Sequence, residues 1–455
     1  MADQTKQKEL YEKDKRYVWH HMKPYQNDQN PMVIERAKGA WITDVEGNDY
    51  LDGMSGLWCV NAGYGRDELV DAAAEQLRQM PFHPLSNSHV PAIELAEKLN
   101  EWLKGDYRMF FSNSGSEANE TAFKIARQYH YQNGEPGRYK FISRYRAYHG
   151  NTLGALSATG QAQRKFRYEP LLPGFIHVHA PDEYRAPDGQ SFEEWSLACA
   201  RMMEETIVWE RPETVAGVIM EPIITGGGIL IPHPAYVKEV ERICNKYGIL
   251  LINDEVICGF GRTGENFGYQ NYGIEPDIVT MAKGITSGYL PLAATAVKQK
   301  YYDVFKTTDE SDHFRQVNTF GGNPAACKLA LKNLEIMEKE NLVARANELG
   351  SRIRQSIEPL TAEPHIGHIR QQGLLIGIEL VKDKQAKTPA SKEMVGGIIA
   401  ACKAKGLIVG KNADTVADYN NVLTLAPPLS MTDEDCDLII ETLQSVLKDT
   451  AIVAQ

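Results

Sequence analysis

Between Tyr107 and Lys298, short apolar runs alternate with stretches of helical spacing, and this alternation constrains the fold more than any other feature of the chain. The runs "YRMFFS", "KFISRY", "VAGVIM", "ILLIND", "DIVTMAK" and "LAATAV" have strand length and are bounded by turn residues. Stretches such as "EANETAFKIARQYHYQ" and "AYVKEVERICNKYG" place apolar residues three and four apart, as a helix does. Strand–helix alternation predicts an α/β fold with a mostly parallel sheet covered on both faces.

The flanks read differently. "GAWITDVEGNDYLDGMSG" alternates around the turn Glu46-Gly47-Asn48 and predicts a hairpin. "ELVDAAAEQLRQM" and "PAIELAEKLNEWL" have helical spacing, and a helix ended by a turn at Pro24 is expected before them. Near residue 326 a long helix begins, "AACKLALKNLEIMEKENL". Beyond it "GLLIGIELVK", "SKEMVGGIIAACKAKG" and "NVLTLAPPLSM" predict a small α+β unit with a last helix. A chain of 455 residues is too long for one small core. The expected division is 1–70 as an N-terminal segment and part of a small domain, 71–325 as a large domain, and 326–455 as the C-terminal small domain.

A net charge of -11 argues against nucleic acid or an anionic membrane as the main partner. The seven cysteines are odd in number and none stands at C-x-x-C spacing, so neither a disulfide framework nor a metal site is expected. Free thiols suit a reducing compartment. "MADQTKQKELYEKDKRYVWHHM" lacks the apolar stretch of a signal peptide. No apolar run approaches the roughly 18 residues that span a bilayer. A cytoplasmic protein is expected.

Ligands of open α/β sheets collect at the carboxyl ends of the strands. "YRMFFS" leads into "NSGSEANE", where Ser114, Gly115 and Ser116 open a helix whose free N–H groups suit a phosphate. The same residues, Ser114 with Glu117, also fit a capping box. "KFISRY" leads to Tyr148-His149-Gly150, an aromatic pair able to stack on a planar ring or to serve in ordinary packing. "VAGVIM" is followed by Glu221, and "ILLIND" ends in Asp254 with Glu255 next to it. Lys283 closes "DIVTMAK". A lysine there is either an exposed loop residue or a buried amine, which loses its charge readily and attacks carbonyls. A phosphate cradle, an aromatic lid, a carboxylate and a lysine on the strand ends of one sheet suit pyridoxal phosphate. The segment "GFGRTG" fits G-x-G-x-x-G, yet "ENFGYQNYG" follows it without helical spacing, so a dinucleotide loop is not expected.

The order and spacing of "NSGSEANE", "YHGNT", "MEP", "INDEVICGFGRTG", "MAKGI", "NTFGGNP" and "GLLIGIEL" resemble the class III aminotransferases over nearly the whole chain. The resemblance implies fold type I of the pyridoxal-phosphate (PLP) enzymes: a large domain with a mostly parallel seven-stranded sheet, and a small α+β domain from both chain ends. It implies that Lys283 is the Schiff-base lysine and proton carrier, and that Asp254 pairs with the pyridine nitrogen. Val256 and Tyr148 are expected on the two ring faces, with Gly115 and Ser116 on the phosphate. His149 and Glu221 join the cofactor site, and Glu255 supports it from behind. Thr319 is expected to reach the phosphate of a neighbouring subunit's cofactor, which implies a homodimer, or a dimer of dimers, with active sites at the interface.

"GMSGLWCVNAGYG" is most similar to the ω-aminotransferases that use pyruvate as acceptor. Trp58, with Leu57 beside it, is then expected to wall the substrate pocket, and the stretch from Trp19 to Met22 to close it. Gly410 or Lys411, in "GLIVGKNADTVADYNNVLTLAPP", stands near the place of the arginine that binds the substrate carboxylate in many relatives of this type, and a segment resembling an insertion follows. A lysine offers a point charge without the bidentate fork. The resemblance implies ping-pong transamination from taurine, β-alanine or a related amine to pyruvate. The alternatives are another donor and acceptor pair (a diamine, 4-aminobutyrate, 2-oxoglutarate) and an aminomutase.

Overall fold

The computed structural model describes residues 2–22, 30–412, 415 and 419–449. Its centre is a seven-stranded sheet built from β1 (Tyr107–Ser112), β2 (Lys140–Arg144), β3 (Phe175–Val178), β4 (Val215–Met220), β5 (Leu250–Asp254), β6 (Ile278–Met281) and β7 (Ala293–Lys298). The spatial order is β1-β7-β6-β5-β4-β2-β3. Pairings among β2 to β6 are all parallel, and β7 runs antiparallel to both β1 and β6. Every residue of β4, β5 and β6 is buried, which is why these strands read as unbroken apolar runs instead of alternating ones. β3 carries His177 among apolar residues at the sheet edge and was not legible as a strand.

Helices cover both faces. Gly115–Gln132 buries Ala118, Ala122, Phe123, Ile125 and Ala126 against the sheet. Phe192–Trp209 and Pro234–Tyr247 pack against each other. The helix Pro324–Lys339 packs on the two helices Asp67–Gln79 and Val90–Leu103.

The two ends of the chain are woven together. The expected hairpin pairs Trp41–Asp44 with Asp49–Asp52, and the latter strand takes Leu407–Ile408 as a parallel partner. A further sheet pairs Ile366–Gln372, Leu375–Asp383, Val422–Leu425 and Gly410–Lys411. The N-terminal helix spans Ala2–Tyr17 and is docked by Tyr11, whose hydroxyl donates to Glu46 Oε1 at 2.6 Å. The expected turn at Pro24 lies outside the described residues. Among the described residues no helix is long and apolar enough to cross a membrane.

The "GFGRTG" turn is a structural junction. Arg262 is fully buried and donates to the Pro427 carbonyl at 2.5 Å and to Asn61 Oδ1 at 2.7 Å. It therefore ties N-terminal and C-terminal segments to the central sheet.

Candidate active site

Glu221, Asp254 and Lys283 follow or end β4, β5 and β6, three adjacent parallel strands, so sheet geometry alone sets them side by side. The start of helix Gly115–Gln132 and the turn after β2 bring up the remaining walls. Together they enclose a cavity of about 420 Å³, lined by Gly115, Ser116, Tyr148, His149, Glu221, Asp254, Val256 and Lys283. Eight positions expected from the sequence thus converge on one space.

Lys283 is half-buried and has φ 47°, in the left-handed region that residues other than glycine seldom adopt. Burial pushes its amine pKa down, while Cys59, Asp254 and Glu221 push it back up. The balance favours a neutral, nucleophilic amine over what an exposed lysine would offer.

The carboxylate of Asp254 is fixed by three donors. Oδ2 accepts from His149 Nδ1 at 2.9 Å and from Asn119 Nδ2 at 2.9 Å. Oδ1 accepts from the Val256 N–H at 3.1 Å and keeps capacity for one more donor. Asn119 is itself locked, because its Oδ1 accepts from Thr280 Oγ1 at 2.7 Å. His149 Nε2 is buried without a partner among the described residues. Glu221 accepts from the Tyr148 N–H at 2.9 Å and from Thr225 Oγ1 at 2.8 Å. Burial raises its pKa, with His149 opposing.

Glu255 faces away from the cavity. It accepts from the N–H groups of Gly268 at 2.7 Å and Tyr269 at 2.8 Å, and so pins the next loop. Burial pushes its pKa up to about 7.

The helix start is a cap and a cradle at once. Ser114 Oγ accepts from the Glu117 N–H at 3.2 Å, but Glu117 Oε2 accepts from the Asn113 N–H, so only half of the expected capping box forms. Gly115 and Ser116 stand in the first turn, where N–H groups lack intrahelical acceptors. A Cβ on Gly115 would come within 2.8 Å of Val256 Cγ2, and one on Gly150 within 2.5 Å of Ser116 Oγ. Glycine is needed here to keep the cradle open.

Four expected positions lie elsewhere. Trp58 is turned into an apolar cluster with Met54, Ile223 and Cys258, so it does not wall the cavity; Leu57 and Cys59 do. The reason is local: positive φ at Ser55, Gly56 and Trp58 breaks the regular spacing that would have told which side chain points where. Thr319 sits on an exposed turn and is absent from the lining of this chain's own cavity. Lys411 is exposed on the short strand Gly410–Lys411 and does not line the cavity either. Trp19 is 94% exposed, and does not cover the cavity in this structure. Much of the insertion after Lys411 lies outside the described residues.

Sequence reasoning missed Asn119, Cys59 and the wall Leu290-Pro291-Leu292. Asn119 carried a usable signal: it stands one helical turn after Gly115 and so shares its face.

A lysine and a carboxylate on adjacent strand ends, with a glycine-walled helix start beside them, suit a PLP-dependent enzyme. The donor set fits the cofactor: a helix start for phosphate, Tyr148 and Val256 for the ring, and spare acceptor capacity on Asp254. An amine transaminase from an uncultivated Pseudomonas species, solved in its PLP-bound form, superposes with a TM-score of 0.90 at 34% identity, covering 95% of this chain and 98% of that one. The family model for class-III aminotransferases matches residues 23–447, and the chain belongs to that family. An uncharacterized aminotransferase of Bacillus subtilis, YhxA, is 61% identical over 96% of both chains. A taurine–pyruvate aminotransferase of Bilophila wadsworthia is 42% identical over 95% of both. The crystal structure of a Bacillus anthracis aminotransferase is similar with a TM-score of 0.95 at 55% identity, covering 98% of this chain and 99% of the other.

Proposed function

We propose that this aminotransferase moves the primary amino group of an ω-amino acid or amine, of the taurine or β-alanine type, to pyruvate, releasing an aldehyde or ketone and then L-alanine in ping-pong order. The observation that carries the donor and acceptor is the likeness to the taurine–pyruvate enzyme along the whole chain. The cavity supports it, because Leu57 and the stretch Leu290–Leu292 line the same space as Lys283 and leave room for a short substrate.

Bound PLP supplies the electron sink that makes the carbon–hydrogen bond beside the amino group acidic. The chain's residues do the rest. Lys283 Nζ, whose pKa burial lowers, takes that proton and delivers it again on the far side of the transfer. Asp254, held by His149 and Asn119, would set its carboxylate opposite the ring nitrogen. Gly115 and Ser116 offer N–H groups to the phosphate. Tyr148 and Val256, which line the cavity, would hold the ring between them.

We further propose that two chains form the working unit, with Thr319 reaching the partner's cofactor. An exposed apolar face beside Thr319 supports this: Phe320 lies edge-on to Phe82, with ring centroids 5.9 Å apart, and Val317 and Leu85 flank them.

The test follows alanine formation from pyruvate with taurine, β-alanine, putrescine, γ-aminobutyrate and 1-phenylethylamine in turn. Alanine from taurine or β-alanine is expected. Repeated turnover of an amine, beyond one equivalent per active site, when pyruvate is withheld would favour an aminomutase instead. Lys283→Ala is expected to abolish turnover and to leave no cofactor attached to protein after borohydride reduction, read by mass. Full turnover in that variant would overturn the assignment of Lys283.

A further inference from the structure

We propose that Arg164 is a positioning residue, whose guanidinium sets the depth and tilt of the Tyr148 ring over the cofactor. The inference rests on the reading that Tyr148 stacks on PLP. Tyr148 is tied at its backbone, where its N–H meets Glu221 at 2.9 Å, but that bond fixes the Cα and leaves the ring free to turn about its side-chain torsions. The ring meets its own constraint in Arg164, whose Cζ lies 4.6 Å from the ring centroid. A cation over a ring face at this distance is attracted by the ring quadrupole.

Arg164 is held for that task. Its Nε donates to Gln161 Oε1 at 2.7 Å, and Gln161 is fully buried. Gln161 Nε2 in turn donates to the carbonyl of Arg146 at 2.9 Å, two residues before Tyr148. Arg146 is anchored by Asp182 at 2.6 Å and by the Gly227 carbonyl. The segment carrying the ring and the cation above it are therefore braced by one buried amide. On its outer side Arg164 Nη1 lies 3.6 Å from Met22 Sδ, so the N-terminal segment backs the stack. A planar guanidinium pinned at Nε can present a face to the ring, which a lysine ammonium cannot. Arg164 also opposes the upward shift that burial imposes on the Tyr148 phenol.

The experiment titrates PLP into apoprotein, following protein fluorescence, for wild type, Arg164→Gln, Arg164→Lys, Tyr148→Leu and the Arg164→Gln/Tyr148→Leu double variant. Amine KM and kcat are measured alongside. Arg164→Gln is expected to weaken PLP binding by about 2- to 30-fold, the span of cation–π contacts. Arg164→Lys should recover only part of this. In the Tyr148→Leu background Arg164→Gln should add nothing, because its effect passes through the ring. An equal loss in both backgrounds, or no loss in either when Tyr148→Leu itself weakens binding, overturns the role of Arg164. Unchanged PLP affinity in Tyr148→Leu overturns the stacking of Tyr148 and the inference with it.

Discussion

Lys283 joins two unusual conditions in one residue: a left-handed backbone and an amine in a cavity it shares with two carboxylates. Its position at the end of an apolar run was legible, because few lysines close such a run. Its backbone conformation was not, since nothing in "MAKGI" announces positive φ at the lysine. The lowered pKa has a consequence for stability. The unfolded chain holds the Lys283 proton up to the ordinary value of 10.5, and the native chain releases it earlier. Between those values the unfolded state binds more protons, so stability rises with pH; below the native value the full cost of the buried ammonium is present. The unfolding temperature of wild-type apoprotein should therefore climb relative to Lys283→Met as pH increases toward about 10. Parallel pH curves for the two proteins would contradict the buried amine. Trp58 teaches the opposite lesson at this scale. Its type and position suggested a pocket wall, yet the turn containing it rotates Leu57 outward and Trp58 into the core.

Among the elements, the strand ends did most to make the site legible. β4, β5 and β6 are buried throughout, so polar residues that follow them stand out in the sequence. β3 and the helices Phe192–Trp209 and Leu342–Ile357 were not recognised. β3 is four residues with a histidine inside, too short for periodicity to speak. The helix Gly115–Gln132 bears on function through its first residue. An alanine at Gly115 would drive a methyl into both Val256 Cγ atoms, at 2.8 and 2.9 Å. Overpacking of this kind costs about 1–3 kcal/mol. Gly115→Ala should weaken PLP binding by that order in a titration of apoprotein, and Val256→Ala added to it should recover part of the loss. If the second change brings no recovery, the contact is not the cause.

At the scale of the molecule, one continuous apolar core runs from Ala40 to Leu447, linking the sheet to both chain ends. The division at residues 70 and 325 is thus better proposed as a change of architecture than as a break in packing. The face around Phe320 is apolar and open to solvent, with Val317 82% exposed and Phe320 62%. Phe320→Asp should convert the proposed dimer to monomer in light scattering and reduce transamination with it, since Thr319 would lose its place against a partner. A fully active monomer would contradict the shared site. The pairing of Asp49–Asp52 with Leu407–Ile408 also has a meaning in time. The ribosome delivers the first of these strands well before its partner, because a long stretch of chain separates them. Until that partner appears the strand's free edge has no native neighbour, and open edges invite foreign strands. That edge is therefore exposed to mispairing until Leu407 and Ile408 have emerged.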